Sequence, residues 1–224
     1  MNVNEALKLY LVMGSTNCPR PATDIVKEAI EGGITLFQYR EKGEGCLKGD
    51  ARHALATDLM NLCHGAGIPF IVNDDVQLAL DVDADGVHIG QDDGSIEEVR
   101  RRIGSKWLGV STHNVEEARL AVQAGADYIG VGPMFMTKTK ADIQEVQGPS
   151  VIRMIRDYGI DIPIVGIGGI DVSNMHEVMV AGADGVAVIS AISQAENPRA
   201  SAHAFKTRLR SSKQTCTKHT INHS

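Results

Sequence analysis

Short aliphatic runs alternate with amphipathic segments along nearly the whole chain. The runs at 9–13, 35–40, 69–72, 86–89, 108–111, 128–131, 163–166 and 185–189 have the length and the Val, Ile and Leu content of strands. Between and after them, 22–31, 49–64, 76–80, 95–103, 115–123, 150–158, 173–180 and 198–209 carry apolar residues at helical spacing. The pattern predicts eight strand–helix units. A joint recurs at Glu31-Gly32-Gly33-Ile34, Ala66-Gly67-Ile68, Ala124-Gly125-Ala126-Asp127 and Ala181-Gly182-Ala183-Asp184. In each, a glycine ends a helix in the left-handed conformation before the chain turns into the next strand. Strands flanked by helices on both sides should be parallel and continuously apolar. Eight such units close most naturally into a single-domain α/β barrel, the (β/α)8 TIM barrel, here over residues 1–210. An open doubly wound sheet is the alternative on the same pattern. Residues 211–224 (SSKQTCTKHTINHS) are polar and aperiodic, which predicts a mobile tail.

Composition narrows the function. Aromatic residues are 4% of the chain, so the core must be aliphatic, while glycine is abundant at 23 of 224 residues without a collagen or linker pattern. The formal net charge of −6 leaves no general basic surface for a nucleic acid. No apolar run is long enough to span a bilayer, and the start lacks the layout of a signal peptide, so a cytoplasmic enzyme is expected, with no membrane partner. Cys18, Cys46, Cys63 and Cys216 fit neither a disulfide framework nor a zinc site and read as free thiols.

In such barrels the chemistry sits where the strands end. The second predicted strand ends in Gln38-Tyr39-Arg40-Glu41-Lys42, and alternation puts Gln38, Arg40 and Lys42 on one face with Tyr39 and Glu41 on the other. Two cations and an amide converging there want an anion; a solvated charged turn is the plainer alternative. The third ends in Asn73-Asp74-Asp75, of which Asp75 suits a helix cap. The fourth runs through His88 to Gln91-Asp92-Asp93, with Ser95 placed to cap the next helix. Carboxylates at two neighbouring strand ends can meet and bind a hard divalent cation, or remain two surface acids that never meet. His88, inside an apolar run, reads as packed rather than ligating. Ser111, ending the fifth strand, is either a ligand donor or a plain helix start, and Trp107 at its beginning should pack at the opposite end of the barrel. The loop after the sixth strand is long, and its Thr137, Thr139 and Lys140 can serve phosphate oxygens; an unstructured lysine–threonine loop is the alternative. Gly166-Ile167-Gly168-Gly169-Ile170 and Val188-Ile189-Ser190 follow the seventh and eighth strands, where barrels of this kind often hold a phosphate on backbone N–H groups. Carboxylates mixed with Arg40, Lys42 and Lys140 make sense beside a diphosphate if Mg²⁺ lies between them. One diphosphate ligand and one monophosphate ligand imply transfer.

QYREK (38–42), VNDD (72–75), GVHIGQDD (86–93), GVSTH (109–113), GPMFMTKTK (132–140), GIGGI (166–170) and VISAI (188–192) resemble, in order, the motifs of the thiamine-phosphate synthase family. The resemblance runs from about Leu9 to Leu209. It implies condensation of a pyrimidine-methyl diphosphate with a thiazole phosphate, and hence two small-molecule substrates and Mg²⁺ as cofactor; a homo-oligomer stays open. Carried over by motif, Gln38, Tyr39, Arg40, Glu41, Lys42, Asn73, Ser111 and Lys140 would bind the pyrimidine diphosphate, with Arg40, Lys42, Ser111 and Lys140 catalytic. Asp74 and Asp93 would hold the metal. Thr137, Lys138, Thr139, Gly168, Gly169, Ile189 and Ser190 would bind the thiazole phosphate. Met136 departs from a proline common before the TKTK motif. Two rivals share parts of the pattern: a thiazole tautomerase-like barrel, which needs no metal–diphosphate site, and a barrel that only binds a phosphorylated metabolite.

Overall fold

The computed structural model describes residues 2–136 and 146–219, with side chains to Ser211. Its elements, in order, are α1 (Val3–Ala6), β1 (Leu9–Met13), α2 (Ala22–Gly32), β2 (Leu36–Tyr39), α3 (Gly49–Gly65), β3 (Phe70–Asn73), α4 (Val76–Asp81), β4 (Gly86–Ile89) and α5 (Ile96–Ile103). They continue with β5 (Trp107–Thr112), α6 (Val115–Gln123), β6 (Tyr128–Val131), α7 (Ser150–Asp157), β7 (Ile164–Ile167), α8 (Met175–Val180), β8 (Gly185–Val188), α9 (Ser190–Ser193) and α10 (Pro198–His219).

All strand pairings are parallel and follow chain order. Tyr10 of β1 is aligned with Leu36 of β2 on one side and with Ala187 of β8 on the other. That last pairing closes the sheet, which decides for the barrel against the open sheet. The expected strands are present, shifted by a residue or two at their ends. The expected helices are present too, with one notable difference. α10 does not stop near residue 209 but runs on to His219, so much of the expected tail is helical. Residues 211–219 (SSKQTCTKH) contain neither Gly nor Pro, so nothing in them breaks a helix already nucleated against α2.

Alternation along the strands sorts their side chains into two cores. Leu9, Leu11, Met13, Phe37, Tyr39, Phe70, Val72, Val87, Ile89, Ile129 and Val131 face the helices. Tyr10, Val12, Leu36, Ile71, Tyr128, Val165 and Ala187 fill the barrel itself. α1, missed by the strand–helix pattern, closes the bottom of the barrel with Ala6 and Leu7, and the Asn2 side chain caps it by accepting from the Glu5 N–H at 2.9 Å. Trp107 packs against the inner cluster from the start of β5, as expected.

Large inward rings are accommodated by glycines on neighbouring strands. A Cβ at Gly109 would lie under 3.0 Å from atoms of Tyr128 and His88, and one at Gly130 would sit 3.1 Å from His88 Cε1. These glycines are extended strand residues chosen for space, a use distinct from ending helices.

Two of the recurrent joints end in an aspartate, Asp127 and Asp184, and Asp85 stands at the same place before β4; only the fold explains their purpose. Asp85, Asp127 and Asp184 each precede a strand by one residue and accept, through Oδ2, an N–H from the first or second residue of the preceding strand: Phe70 at 2.7 Å, Leu108 at 2.8 Å and Ile164 at 2.8 Å. The aspartate backbone N–H donates in return to the same residue's carbonyl, at 2.9, 2.8 and 2.8 Å. A basic side chain from the preceding helix completes each clasp: His64 on Asp85, Arg100 on Asp127 and Arg156 on Asp184, all at 2.8 Å. Strand starts, which would otherwise leave an unpaired N–H, are tied off this way at the end of the barrel opposite the chemistry.

Candidate active site

At the C-terminal ends of the strands the expected residues largely converge. β2 delivers Gln38 into the barrel, 3% exposed, where its Nε2 donates to Tyr10 Oη at 2.7 Å. The Arg40 side chain, half-buried, has no hydrogen bond or ion pair among the described residues, while its N–H donates to the Met13 carbonyl at 3.0 Å. Lys42 Nζ is ion-paired with Asp74 Oδ2 and lies 3.7 Å from Asp93 Oδ1. Alternation therefore holds: Tyr39 and Glu41 turn the other way. Tyr39 stacks on Phe70 within the outer core and donates to the Arg52 carbonyl at 3.3 Å. Glu41 is buried and accepts from the Ser15 and Leu47 N–H groups, each at 2.8 Å, so it braces the loops around the mouth. Both side chains thus brace the mouth, and Glu41 also lines one of the cavities beside Asp74.

The carboxylates meet. Asp74 has a left-handed backbone, φ 61°, unusual for a residue with a Cβ, and is held there by its N–H donating to the His88 carbonyl at 2.8 Å. Asp93 Oδ2 accepts the Gly90 N–H at 2.8 Å, which folds the β4 loop back over the strand end. Burial raises the Asp74 carboxyl above the ordinary range; Lys42 opposes the shift and Asp93 adds to it. Burial acts on Asp93 in the same sense but is outweighed by the hydrogen bond from Asp74, the Gly90 N–H and Lys42, so Asp93 is lowered. Two close carboxylates pushed apart in this way form a site that wants a cation. Asp75 is a helix cap, accepting the Leu78 N–H at 2.9 Å and pairing with Arg52 at 2.7 Å. Ser95 caps α5 as expected, accepting the Glu98 N–H at 3.3 Å.

Two cavities flank Asp74. One, of about 330 Å³, is lined by Asp74, Asp93, Ser95, Glu98 and Arg102. The other, of about 360 Å³, is lined by Lys42, Lys48, Arg52, Asn73 and Asp74. Lys48 and Arg52 escaped the sequence reading because they belong to the cap and first turn of α3, where a charged residue is unremarkable. Ser111 Oγ is 2.9 Å from His88 Nε2, and the Ser111 carbonyl accepts from Gln91 Nε2 at 2.6 Å. His88 is 8% exposed and packed between Ser111 and Tyr128, as a core histidine.

Thr137, Lys138, Thr139 and Lys140 lie outside the described residues. The stems of their loop are placed: Gln147 N–H donates to the Pro133 carbonyl at 3.0 Å, joining the two ends. Met134 and Phe135 N–H groups donate to Ile167 and Gly168 carbonyls at 2.9 and 3.0 Å, which lays this loop alongside the one after β7. Gly168 and Gly169 have φ of 100° and 65°, and a Cβ on them would come within 2.7 Å of Pro133 Cβ and 2.6 Å of the Met136 carbonyl oxygen. Only glycine meets both demands. Ile189 is the N-cap residue of α9, which starts directly after β8, and Ser201 Oγ anchors α9 by donating to the Ala191 carbonyl at 2.7 Å.

Among the described residues, no three His, Cys, Asp or Glu side chains gather to enclose a metal. Asp74 and Asp93, with a buried Asp74 oxygen that has no hydrogen-bond partner apart from the Lys42 ion pair, suit instead a hard cation that completes its coordination with phosphate oxygens and water.

A closed (β/α)8 barrel with a cation–carboxylate cluster at one side of its mouth and a glycine loop at the other is an enzyme scaffold for phosphorylated small molecules. The family model described as thiamine monophosphate synthase matches residues 9–192. Thiamine-phosphate synthases of Geobacillus thermodenitrificans and Geobacillus kaustophilus are each 57% identical, over 93% and 94% of this chain and 94% and 96% of their own. The solved thiamine phosphate pyrophosphorylase of Pyrococcus furiosus superposes with a TM-score of 0.84 at 35% identity, covering 94% of this chain and 99% of that one. The chain belongs to the thiamine-phosphate synthase family, as a transferase of thiamine biosynthesis.

Proposed function

We propose that the barrel joins 4-amino-5-hydroxymethyl-2-methylpyrimidine diphosphate to 4-methyl-5-(2-phosphoethyl)thiazole, forming thiamine phosphate and releasing diphosphate. The observation that carries this is the meeting of Lys42 with Asp74 and Asp93 at one side of the mouth. A tautomerase or a passive phosphate binder has no use for that cluster.

The bond from the pyrimidine's methylene carbon to the diphosphate oxygen breaks, and its electron pair leaves with the diphosphate. The pyrimidine amino group delocalises the positive charge left on the methylene, and the thiazole nitrogen donates its lone pair to form the new C–N bond. What the protein must supply is charge stabilisation on the leaving group and alignment of the incoming ring. Lys42 and Arg40, with Lys140, serve the diphosphate, and Asn73 orients it. Gln38 and Ser111 hold the pyrimidine. Thr137, Lys138 and Thr139, with the backbone of Gly168, Gly169, Ile189 and Ser190, hold the thiazole phosphate. Asp74 and Asp93 would hold Mg²⁺, which when bound supplies charge neutralisation at the diphosphate oxygens. A cytoplasmic location belongs to the same proposal; no helix among the described residues is long and apolar enough to cross a membrane.

The test is direct. Folded protein given both substrates and Mg²⁺ is expected to release diphosphate and form thiamine phosphate in equal amounts. A well-folded preparation that binds both and yields neither product refutes the proposal.

A further inference from the structure

Five polar side chains form an unbroken chain through the interior of the barrel. Gln38 Nε2 donates to Tyr10 Oη at 2.7 Å, and Tyr10 Oη lies 2.9 Å from Tyr128 Oη. Tyr128 Oη is 3.2 Å from His88 Nδ1, and His88 Nε2 is 2.9 Å from Ser111 Oγ. Both phenols are buried at 1% and 0% exposure, in an otherwise aliphatic cluster, and their rings meet edge to face with centroids 6.2 Å apart. Gly109 leaves room for the Tyr128 and His88 rings, and Gly130 for the His88 ring. Two tyrosines and a histidine in a barrel interior are costly unless each polar atom is satisfied, and every link here has a partner.

The chain has a direction. An amide nitrogen only donates, so Tyr10 Oη accepts from Gln38 and passes its own proton to Tyr128 Oη. Tyr128 in turn donates to His88 Nδ1, which leaves the imidazole proton on Nε2, directed at Ser111 Oγ. Ser111, already accepting, is left with its hydroxyl proton to give. The two ends therefore differ: Gln38 presents Oε1 as an acceptor, and Ser111 presents an O–H donor.

We propose that Tyr10 and Tyr128 are positioning residues that fix this polarity and so make the site select a ring bearing an amino group over one bearing an oxo group at the same position. This rests on Gln38 and Ser111 being the residues that hold the pyrimidine. An oxo substituent facing Gln38 Oε1 sets two acceptors against each other. Relief by turning the amide over breaks the bond to Tyr10, unless both phenols and the histidine tautomer reverse together. A glutamine without the phenols turns over freely and loses the distinction.

The experiment compares Tyr10→Phe and Tyr128→Phe with wild type, using the aminopyrimidine diphosphate and its oxo analogue. Each variant is expected to lose about tenfold in kcat/KM for the amino substrate and about as much of the preference over the oxo analogue, one hydrogen bond's worth. KM for the thiazole phosphate should not move. The double variant should lose no more than the worse single one, because one break disables the whole chain. Unchanged preference in both single variants overturns the proposal. Gln38→Leu separates the two layers: if it leaves the pyrimidine KM untouched, the assignment of the site fails, whereas if it raises KM and the tyrosine variants do nothing, only the relay fails. Nitrogen-15 NMR of the histidines in unliganded wild type gives an answer that needs no folded variant. His88 is expected as the Nε2–H tautomer, and an Nδ1–H tautomer overturns the stated direction.

Discussion

Asp184→Ala tests the clasp that ties strand starts together. The substitution removes a carboxylate oxygen that accepts from the Ile164 N–H and from Arg156 Nη2, both at 2.8 Å. Arg156 keeps its bonds to the carbonyls of Gly182, Ile160 and Ile162 at 3.1, 2.9 and 2.8 Å, so the guanidinium stays in place with one donor unpaired. Ile164 is fully buried, and its orphaned N–H costs about 1–2 kcal/mol. The Arg156–Asp184 pair is partly exposed, at 22% and 36% for the two side chains, and adds only about 0.5–1 kcal/mol. The sum is about 2 kcal/mol, which for a chain of this size lowers Tm by about 4–8 °C. Asp184→Asn can still accept from Ile164 through its amide oxygen and should recover about half of the loss. Urea unfolding followed by circular dichroism reads the midpoint at unchanged m-value, with Asp58→Ala on the exposed face of α3 as the surface control, expected within about 0.5 kcal/mol of wild type. If Asp184→Ala is no less stable than that control, the clasp does not act as described.

Gly109→Ala should be destabilised by about 1–3 kcal/mol, since its Cβ would enter the space of Tyr128 and His88, and it should weaken pyrimidine binding at the same time; a neutral variant by thermal melt contradicts the packing. Asp93→Ala is expected to abolish Mg²⁺-dependent turnover while leaving calorimetric binding of the thiazole phosphate largely intact; loss of both would point to a structural role. Burial, with the Asp85 charge as a smaller cause, pushes the Cys63 thiol up from 9.0 to about 12. A raised value favours the neutral thiol in the folded state, so its contribution to stability is full below pH 9 and is lost as the pH rises toward 12. Native protein at pH 8 should accordingly leave Cys63 unlabelled by a thiol reagent, and Cys63→Ala should show a shallower alkaline fall in urea midpoint than wild type.

Much of the site was legible because strand ends are where an apolar run stops, and polar residues at those stops are conspicuous. Lys42, Asp74 and Asp93 were readable on that ground, and alternation alone put Gln38, Arg40 and Lys42 opposite Tyr39 and Glu41. The substrate contacts expected of Tyr39 and Glu41 came instead from their motif; what the fold adds is that Tyr39 packs in the outer core and Glu41 braces the loops. Tyr10 and Tyr128 were invisible, since a tyrosine in an apolar run reads as core until a partner is found for its hydroxyl. Glycine carried a further signal that was only half used. Gly109 and Gly130 sit inside strands, where no turn asks for them, and that position announces a bulky neighbour on a nearby strand.

The order of strands and helices, the place of the helix-ending glycines and the chemistry at the strand ends were determined by the sequence by itself, because period, turn chemistry and local polarity are short-range properties. Three things were decided only in three dimensions. Closure required β1 to meet β8, a pairing between the two ends of the chain that no local pattern encodes. Asp85, Asp127 and Asp184 acquired their purpose from the strand before each, between 15 and 20 residues away in sequence. The polar chain from Gln38 to Ser111 exists because five inward positions on five separate strands share one small interior. There, with water excluded, the polar groups serve as one another's partners.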